Sequence, residues 1–281
     1  MTQSLDAHRN APLYCHLSPV MSRNSSMPVV ILCGGTGTRL REETEYKPKP
    51  LVTVGDMPIL WHIMKIYGHY GFRRFILCLG YKGHLIKEFF LNYPWMANDV
   101  TLRLKTHRQR VHESYPPEDW EITFADTGLG TPTGGRVAKI RKYVQAPEFC
   151  VTYGDGLANV DLGKLISFHR AGKRAATLTA VHPTSPFGII ESSGGLARSF
   201  KEKPRLEGLI NGGFFVFRRR VFDYLEEDSV LEEEPLRRLA ADGQLAVYEH
   251  RDFWMCMDTF KDVERLNRMW AEGRRPWVVW R

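Results

Sequence analysis

The sequence predicts an α/β protein built on a mostly parallel central sheet flanked by helices. Short apolar, β-branched runs alternate with stretches of helical periodicity. Three of the candidate strands, Val29–Leu32, Arg74–Leu79 and residues 148–152, stop at glycine-bearing loops, as strands entering crossover connections do. Strand–helix–strand–helix order implies right-handed crossovers and parallel pairing. The 281 residues, 43% hydrophobic and 25% charged, suffice for a sizeable core in one large or two small domains.

In chain order, Val29–Leu32 reads as the first buried strand. Residues 58–67 have helical spacing, with Pro58 suited to a first turn and Gly71 as the stop. Arg74–Leu79 is a second buried strand ending at Gly80, and residues 84–93 form a helix. Residues 94–122 are an insertion, with alternation at Val100–Leu104 predicting one strand within an irregular segment. Residues 148–152 form a further strand, followed by Gly154-Asp155-Gly156; residues 162–170 are helical and 175–181 a strand. Residues 183–217 read as short strands and loops, with Asn211–Phe217 a loop feeding a strand. Helices are expected at 222–227, 235–242 and 261–272. One domain over 27–281 with an elaborated C-terminal part accounts for this order. Residues 1–26, rich in Ser, Asn, His and Pro, read as a flexible extension, with Met21 or Met27 as alternative starts.

The net charge of +7 is scattered, without a long basic run. That argues against nucleic acid as a main partner and suits polyanionic small molecules. The five cysteines lie far apart with no Cys-x-x-Cys pair, so neither a zinc knuckle nor a redox pair is expected. Cys33, Cys78 and Cys150 lie in apolar runs as small buried side chains, as suits a reducing cytoplasm. No apolar run approaches the about 20 residues of a membrane span, and the N-terminus lacks a signal-peptide core.

The chemistry concentrates at candidate strand ends, where open α/β sheets bind ligands. Gly34-Gly35-Thr36-Gly37-Thr38-Arg39 follows the first strand, and Lys47-Pro48-Lys49-Pro50 follows it. Glycines let backbone N–H groups approach an anion, and Arg39, Lys47 and Lys49 add positive charge. The loop lacks the third glycine of the dinucleotide fingerprint and the Gly-Lys-Ser/Thr of a Walker A motif. It is a phosphate loop of another kind or an ordinary βα turn. Asp155, between two glycines after a strand, is a candidate Mg²⁺ ligand or a turn aspartate. Asp258 is a second candidate, or the cap of the helix that follows it.

Thr133-Gly134-Gly135-Arg136 opens a helix and could meet an anion or a base edge, or be a plain helix entry. In Glu202-Lys203-Pro204 the lysine could hold a phosphate and the glutamate a sugar hydroxyl, or the two form a solvated pair. Trp61, His62 and Phe89-Phe90 read as core or helix surface, and His169 as helix surface. The runs 226–228 and 232–234 read as solvated acidic faces. There is no Ser-His-Asp pattern and no nucleophile elbow.

Taken together and in order, these blocks resemble the sugar-1-phosphate nucleotidyltransferases. The blocks are Gly34–Arg39, Lys47-Pro48-Lys49-Pro50, Pro58–Met64, Gly80-Tyr81-Lys82-Gly83, Asp126-Thr127-Gly128, Thr133–Arg136, Tyr153–Gly156, Glu202-Lys203-Pro204, Ile210–Phe215 and Met257-Asp258-Thr259. The resemblance implies a Rossmann-like nucleotidyltransferase fold and transfer from CTP to α-D-glucose 1-phosphate, giving CDP-glucose and pyrophosphate with Mg²⁺. Other readings are a different base (dTTP or UTP), a different sugar 1-phosphate, or a catalytically silent nucleotide-sugar-binding regulator.

Arg39, Lys49 and Asp155 would be catalytic, and Asp155 and Asp258 would hold the metal. Leu32, Gly34, Gly35, Thr36, Gly37, Thr38, Arg39, Lys49, Gly130, Thr131, Gly135, Arg136 and Gly154 would surround the nucleotide. Gly188, Glu202, Lys203, Asn211 and Gly212 would face the sugar phosphate. The insertion at 94–122 resembles a segment used in oligomer contacts and the nucleotide site, implying a homo-oligomer, a hexamer, working in the cytoplasm without nucleic acid or membrane. The chain departs from the family pattern at Thr36, Pro132 and Phe187–Glu191, around the base and the sugar.

Overall fold

The computed structural model describes residues 24–112, 118–185 and 187–280. Expectations that fall on residues 1–23, and on 113–117 of the insertion, lie outside the described residues. Eight strands form the central sheet: Val29–Leu32 (β1), Arg74–Leu79 (β2), Glu121–Asp126 (β3), Glu148–Tyr153 (β4), Ala176–Val181 (β5), Ile210–Asn211 (β6), Phe215–Arg218 (β7) and Leu245–His250 (β8). β1 pairs in parallel with β2 and β4, β2 with β3, and β5 with β8. β7 runs antiparallel between β4 and β5, and β6 is antiparallel to β5. The sheet is thus mostly parallel, with the antiparallel exception in the C-terminal part.

The flanking helices are Ile59–His69 (α1), Gly83–Met96 (α2), Thr133–Lys139 (α3), Leu162–Gly172 (α4), Glu234–Ala241 (α5) and Phe260–Ala271 (α6). Alternation along β1 sorts the core into two layers, because successive strand residues face opposite ways. Val29 and Ile31 pack with Phe75, Leu77 and the apolar stripes of α1, α4 and α6. Val30 and Leu32 pack with Ile76, Cys78, Val151 and the residues Val137, Leu236 and Leu239 of α3 and α5. Each such side chain, fully buried, contributes about 1.5–3 kcal/mol, so a charge at Ile31 would break the sheet at its centre.

Several expectations are corrected. The insertion is not a lone strand: Asp99–Arg103 and Arg108–His112 form an exposed antiparallel hairpin. Its last residues belong to β3, a strand with charged ends whose Ile122 and Phe124 pack on the core. Residues 222–227 are not a helix; a 3-10 segment spans Arg219–Tyr224. Asn24 is folded rather than part of an extension: it is buried and its amide donates to Tyr70 O at 3.0 Å. His169 is fully buried, with Nδ1 2.8 Å from Thr177 Oγ1, because α4 turns that face onto β5. Among the described residues no helix is long and apolar enough to cross a membrane.

Candidate active site

The carboxyl ends of β1 and β4, with residues 131–136 on the connection from β3 into α3, line one cleft. The cleft holds about 400 Å³. Of the predicted residues, Leu32, Gly34, Gly35, Gly37, Thr38, Arg39, Lys49, Thr131, Arg136, Gly154, Asp155 and Asp258 line it. Cys33, Pro50, Pro132, Thr133 and Tyr153 line it too. Pro50, Thr133 and Tyr153 belong to the motif blocks without having been singled out as site residues, Pro132 is one of the departures from the family pattern, and Cys33 had only its position beside the glycine loop to suggest it.

The glycines divide by role. Gly35 has open space where a Cβ would stand, so its backbone faces the cleft. Gly37 has φ +64°, which a side chain would strain. A Cβ on Gly34 would lie 2.0 Å from the Arg136 guanidinium. Cys33 N–H donates to Cys78 O and Leu40 N–H to Gly37 O. Among the described residues the N–H groups of Gly34, Gly35, Thr36 and Gly37 make no backbone bond of this kind, and Gly34, Gly35 and Gly37 line the cleft, where an anion can reach them.

At one end of the cleft lies a charge cluster drawn from three distant segments. Lys49 Nζ sits 2.6 Å from Asp155 Oδ2 and 2.6 Å from Asp258 Oδ1. Arg39 is 3.2 Å from the other oxygen of Asp258. Burial by itself would lower the Lys49 ammonium, but the charge and hydrogen bond of Asp155, with the bond to Asp258, hold it above its ordinary value. Burial by itself would raise the Asp258 carboxyl; the hydrogen bond and charge of Lys49 and the charge of Arg39 bring it below its ordinary value.

Asp258 is not the helix cap the sequence allowed. Thr259 caps α6 in a reciprocal capping box with Asp262, which frees Asp258 to face the cleft. Asp155, Cys256 and Asp258 each offer a ligand atom within 4.8 Å of the others. Two carboxylates that can share a cation with phosphate oxygens are a donor set that fits a divalent metal. The Cys256 thiol is pushed up by burial and then by the charges of Asp155 and Asp258.

Arg136 is buried and points inward. Its guanidinium donates to Leu79 O, Thr127 Oγ1, Gly128 O, Gly34 O and Leu129 O at 2.6–3.2 Å. It therefore ties the glycine loop to the ends of β2 and β3. Gly135 packs against the 227–229 backbone: its N–H donates to Ser229 O, and a Cβ there would meet Glu227 O at 2.0 Å. The paired glycines of α3 thus allow close packing against the 227–231 backbone.

The sugar-side residues are only partly assembled. Asn211 Nδ2 donates to the Tyr153 hydroxyl at 2.9 Å, and Tyr153 donates to Glu232 at 2.5 Å. Glu232 also accepts from Thr133 at 2.6 Å, so this acid is more than a solvated face. Gly212 touches Val181 and its carbonyl accepts from Trp254. Glu202 and Lys203 are exposed in the bend that follows a separate two-stranded sheet, 3.7 Å from each other, with Gly188 against Glu202 and Phe200. Thr36 and Gly130 are exposed and do not line the cleft.

The family model described as Nucleotidyl transferase matches residues 28–272. The chain is 50% identical over 256 residues to a probable glucose-1-phosphate cytidylyltransferase of Bacillus subtilis (strain 168), covering 90% of this chain and all of that one. It is 47% identical over 257 residues to the glucose-1-phosphate cytidylyltransferase of Salmonella typhi, with the same coverage. Among solved structures, HddC from Yersinia pseudotuberculosis superimposes with a TM-score of 0.63 at 22% identity, covering 87% of this chain and 99% of that one.

Proposed function

The chain belongs to the nucleotidyl transferase family, and on that premise we propose that it transfers the cytidylyl group of CTP to α-D-glucose 1-phosphate, releasing pyrophosphate and forming CDP-glucose. The observation that carries this reading is the Lys49–Asp155–Asp258–Arg39 cluster beside a glycine loop whose N–H groups make no backbone bond of that kind among the described residues. A sugar phosphate oxygen is already nucleophilic, so attack on the α-phosphorus needs no strong general base. What the protein must supply is alignment of two anions and neutralisation of the charge that grows as pyrophosphate leaves.

In this reading the loop N–H groups and Arg39 hold the triphosphate. Lys49 exchanges its two carboxylates for the phosphates at the reacting centre. Asp155 and Asp258 would hold Mg²⁺, which when bound shields phosphate charge and orients the triphosphate. Asn211, held by Tyr153, belongs to the sugar side, with Glu202, Lys203, Gly188 and Gly212. Arg136 acts on the nucleotide through the loop it positions. A homo-oligomer, a hexamer, working in the cytoplasm completes the reading. Its support is the hairpin of the 94–122 insertion and the adjoining end of α2, where Met96, Leu102 and Leu104 are exposed.

Pyrophosphate release with Mg²⁺, measured for CTP, dTTP, UTP, ATP and GTP against several sugar 1-phosphates, tests the proposal. CTP with glucose 1-phosphate should dominate, and Asp155→Asn should abolish turnover with melting unchanged. No turnover with any pair refutes the transferase reading. Preference for dTTP or UTP replaces the base while leaving the chemistry.

A further inference from the structure

Beside its two carboxylates the cluster holds a third side chain with a ligand atom, the Cys256 thiol. Cys256 is the last residue of the strand Trp254–Cys256, which pairs antiparallel with Gly156–Ala158 so that Cys256 stands opposite Gly156. The next backbone bond, Met257 N–H to Asp155 O at 2.9 Å, continues that register. Two rigid segments thus place Asp155 between Cys256 and Asp258, and the three ligand atoms lie within 4.8 Å of one another. Ligands on one metal, at about 2.3 Å for sulfur and about 2.1 Å for oxygen, stand at most about 4.4 Å apart, so little movement closes the set. A cation already sits at this cluster: the Lys49 ammonium bonds both carboxylates.

We propose that Cys256 is a third metal-ligating side chain, and that this O,O,S site takes borderline-soft divalent cations such as Co²⁺, Zn²⁺ and Cd²⁺ more tightly than two carboxylates alone would. Carboxylates suit Mg²⁺ and Mn²⁺, whereas a thiolate selects softer ions. On coordination the metal–sulfur bond replaces the S–H bond and the proton passes to the buffer; no oxidant or reductant is involved. Cys33, Cys78 and Cys150 are buried, and none belongs to the ligand set formed with Asp155 and Asp258.

The inference rests on the assignment of Asp155 and Asp258 as metal ligands, and its test separates the two. The full chain, without nucleotide, is titrated with Co²⁺ and Cd²⁺ while the thiolate-to-metal charge-transfer absorption is followed. Wild type should show the band and Cys256→Ser should lose it, with metal binding weakened by about tenfold or more. Asp258→Asn should keep the band at saturating metal but reach it at higher concentration, which keeps the test alive should the serine variant fail to fold. No band at saturation in wild type, or an equal band in Cys256→Ser, overturns the thiol ligand. If the band is absent while Mg²⁺ supports transfer, only this inference falls. If the band is present and no metal supports transfer, only the transferase reading falls.

Discussion

Replacing Arg136 by Met separates a positioning role from direct contact with the nucleotide. Five hydrogen bonds from the guanidinium disappear. Not every acceptor is left bare. Gly34 O keeps the Tyr81 N–H at 3.1 Å, and Leu79 O keeps both Thr127 N–H and Thr127 Oγ1. Gly128 and Leu129 lie near the surface, where water can replace the donor. At roughly 0.5–1.5 kcal/mol net per bond, and with the cost of burying the guanidinium charge recovered, the loss is about 2–4 kcal/mol. For a chain of this size that lowers Tm by about 4–8 °C. Because Gly34 is one of the anchored residues, KM for the nucleotide should rise about tenfold while kcat falls less. Thermal unfolding and pyrophosphate release with varied CTP measure both. An unchanged Tm with lost nucleotide affinity would mean that Arg136 touches the ligand directly, and an unchanged KM would refute the loop tether.

Lys49→Met should lower kcat by about 10²–10³-fold through loss of charge stabilisation at the reacting centre. It also leaves Asp155 and Asp258 without their shared cation, so Mg²⁺ or Mn²⁺ should raise its Tm more than that of wild type; equal shifts in differential scanning would contradict the competition. His62 is fully buried, with Nε2 2.8 Å from Val54 O and its ring edge-on to Trp270 and Trp277. Burial lowers its pKa to about 4 from 6.5. The unfolded chain therefore binds the extra proton first as pH falls through 6.5, and stability is lost progressively down to the folded value. The share from His62 is about 2 kcal/mol between pH 7 and pH 5, read by urea unfolding, and His62→Gln should remove it. An identical pH slope in the variant would sink that assignment.

Much of the fold was legible in the sequence because its signals are local. The run at Val29–Leu32, the periodicity of α1 and the stop at Gly71 depend on residues within a few positions of one another. The same locality explains the misses. β3 is a strand because β2 offers a pairing edge, which Glu121–Asp126 does not announce. His169 reads as helix surface until β5 covers it. At the site, the ordered motifs were enough to nominate Arg39, Lys49, Asp155 and Asp258, whose residue types already suit phosphates and a metal.

By itself, then, the sequence determined the strand–helix alternation, the phosphate-type loop and the inventory of charges, since each follows from composition and short-range spacing. The tertiary structure alone decided who meets whom. Lys49 bonds Asp155 across 106 positions and Asp258 across 209, distances over which no periodicity carries information. Thr259, not Asp258, takes the cap of α6. That Arg136 braces the glycine loop through the carbonyls around it is announced by no local pattern. Cys256, unremarkable in its apolar run, stands beside two acids only because its strand pairs with Gly156–Ala158. Local pattern specifies elements; side chains from separate elements acquire joint chemistry only when packing brings them within bonding distance.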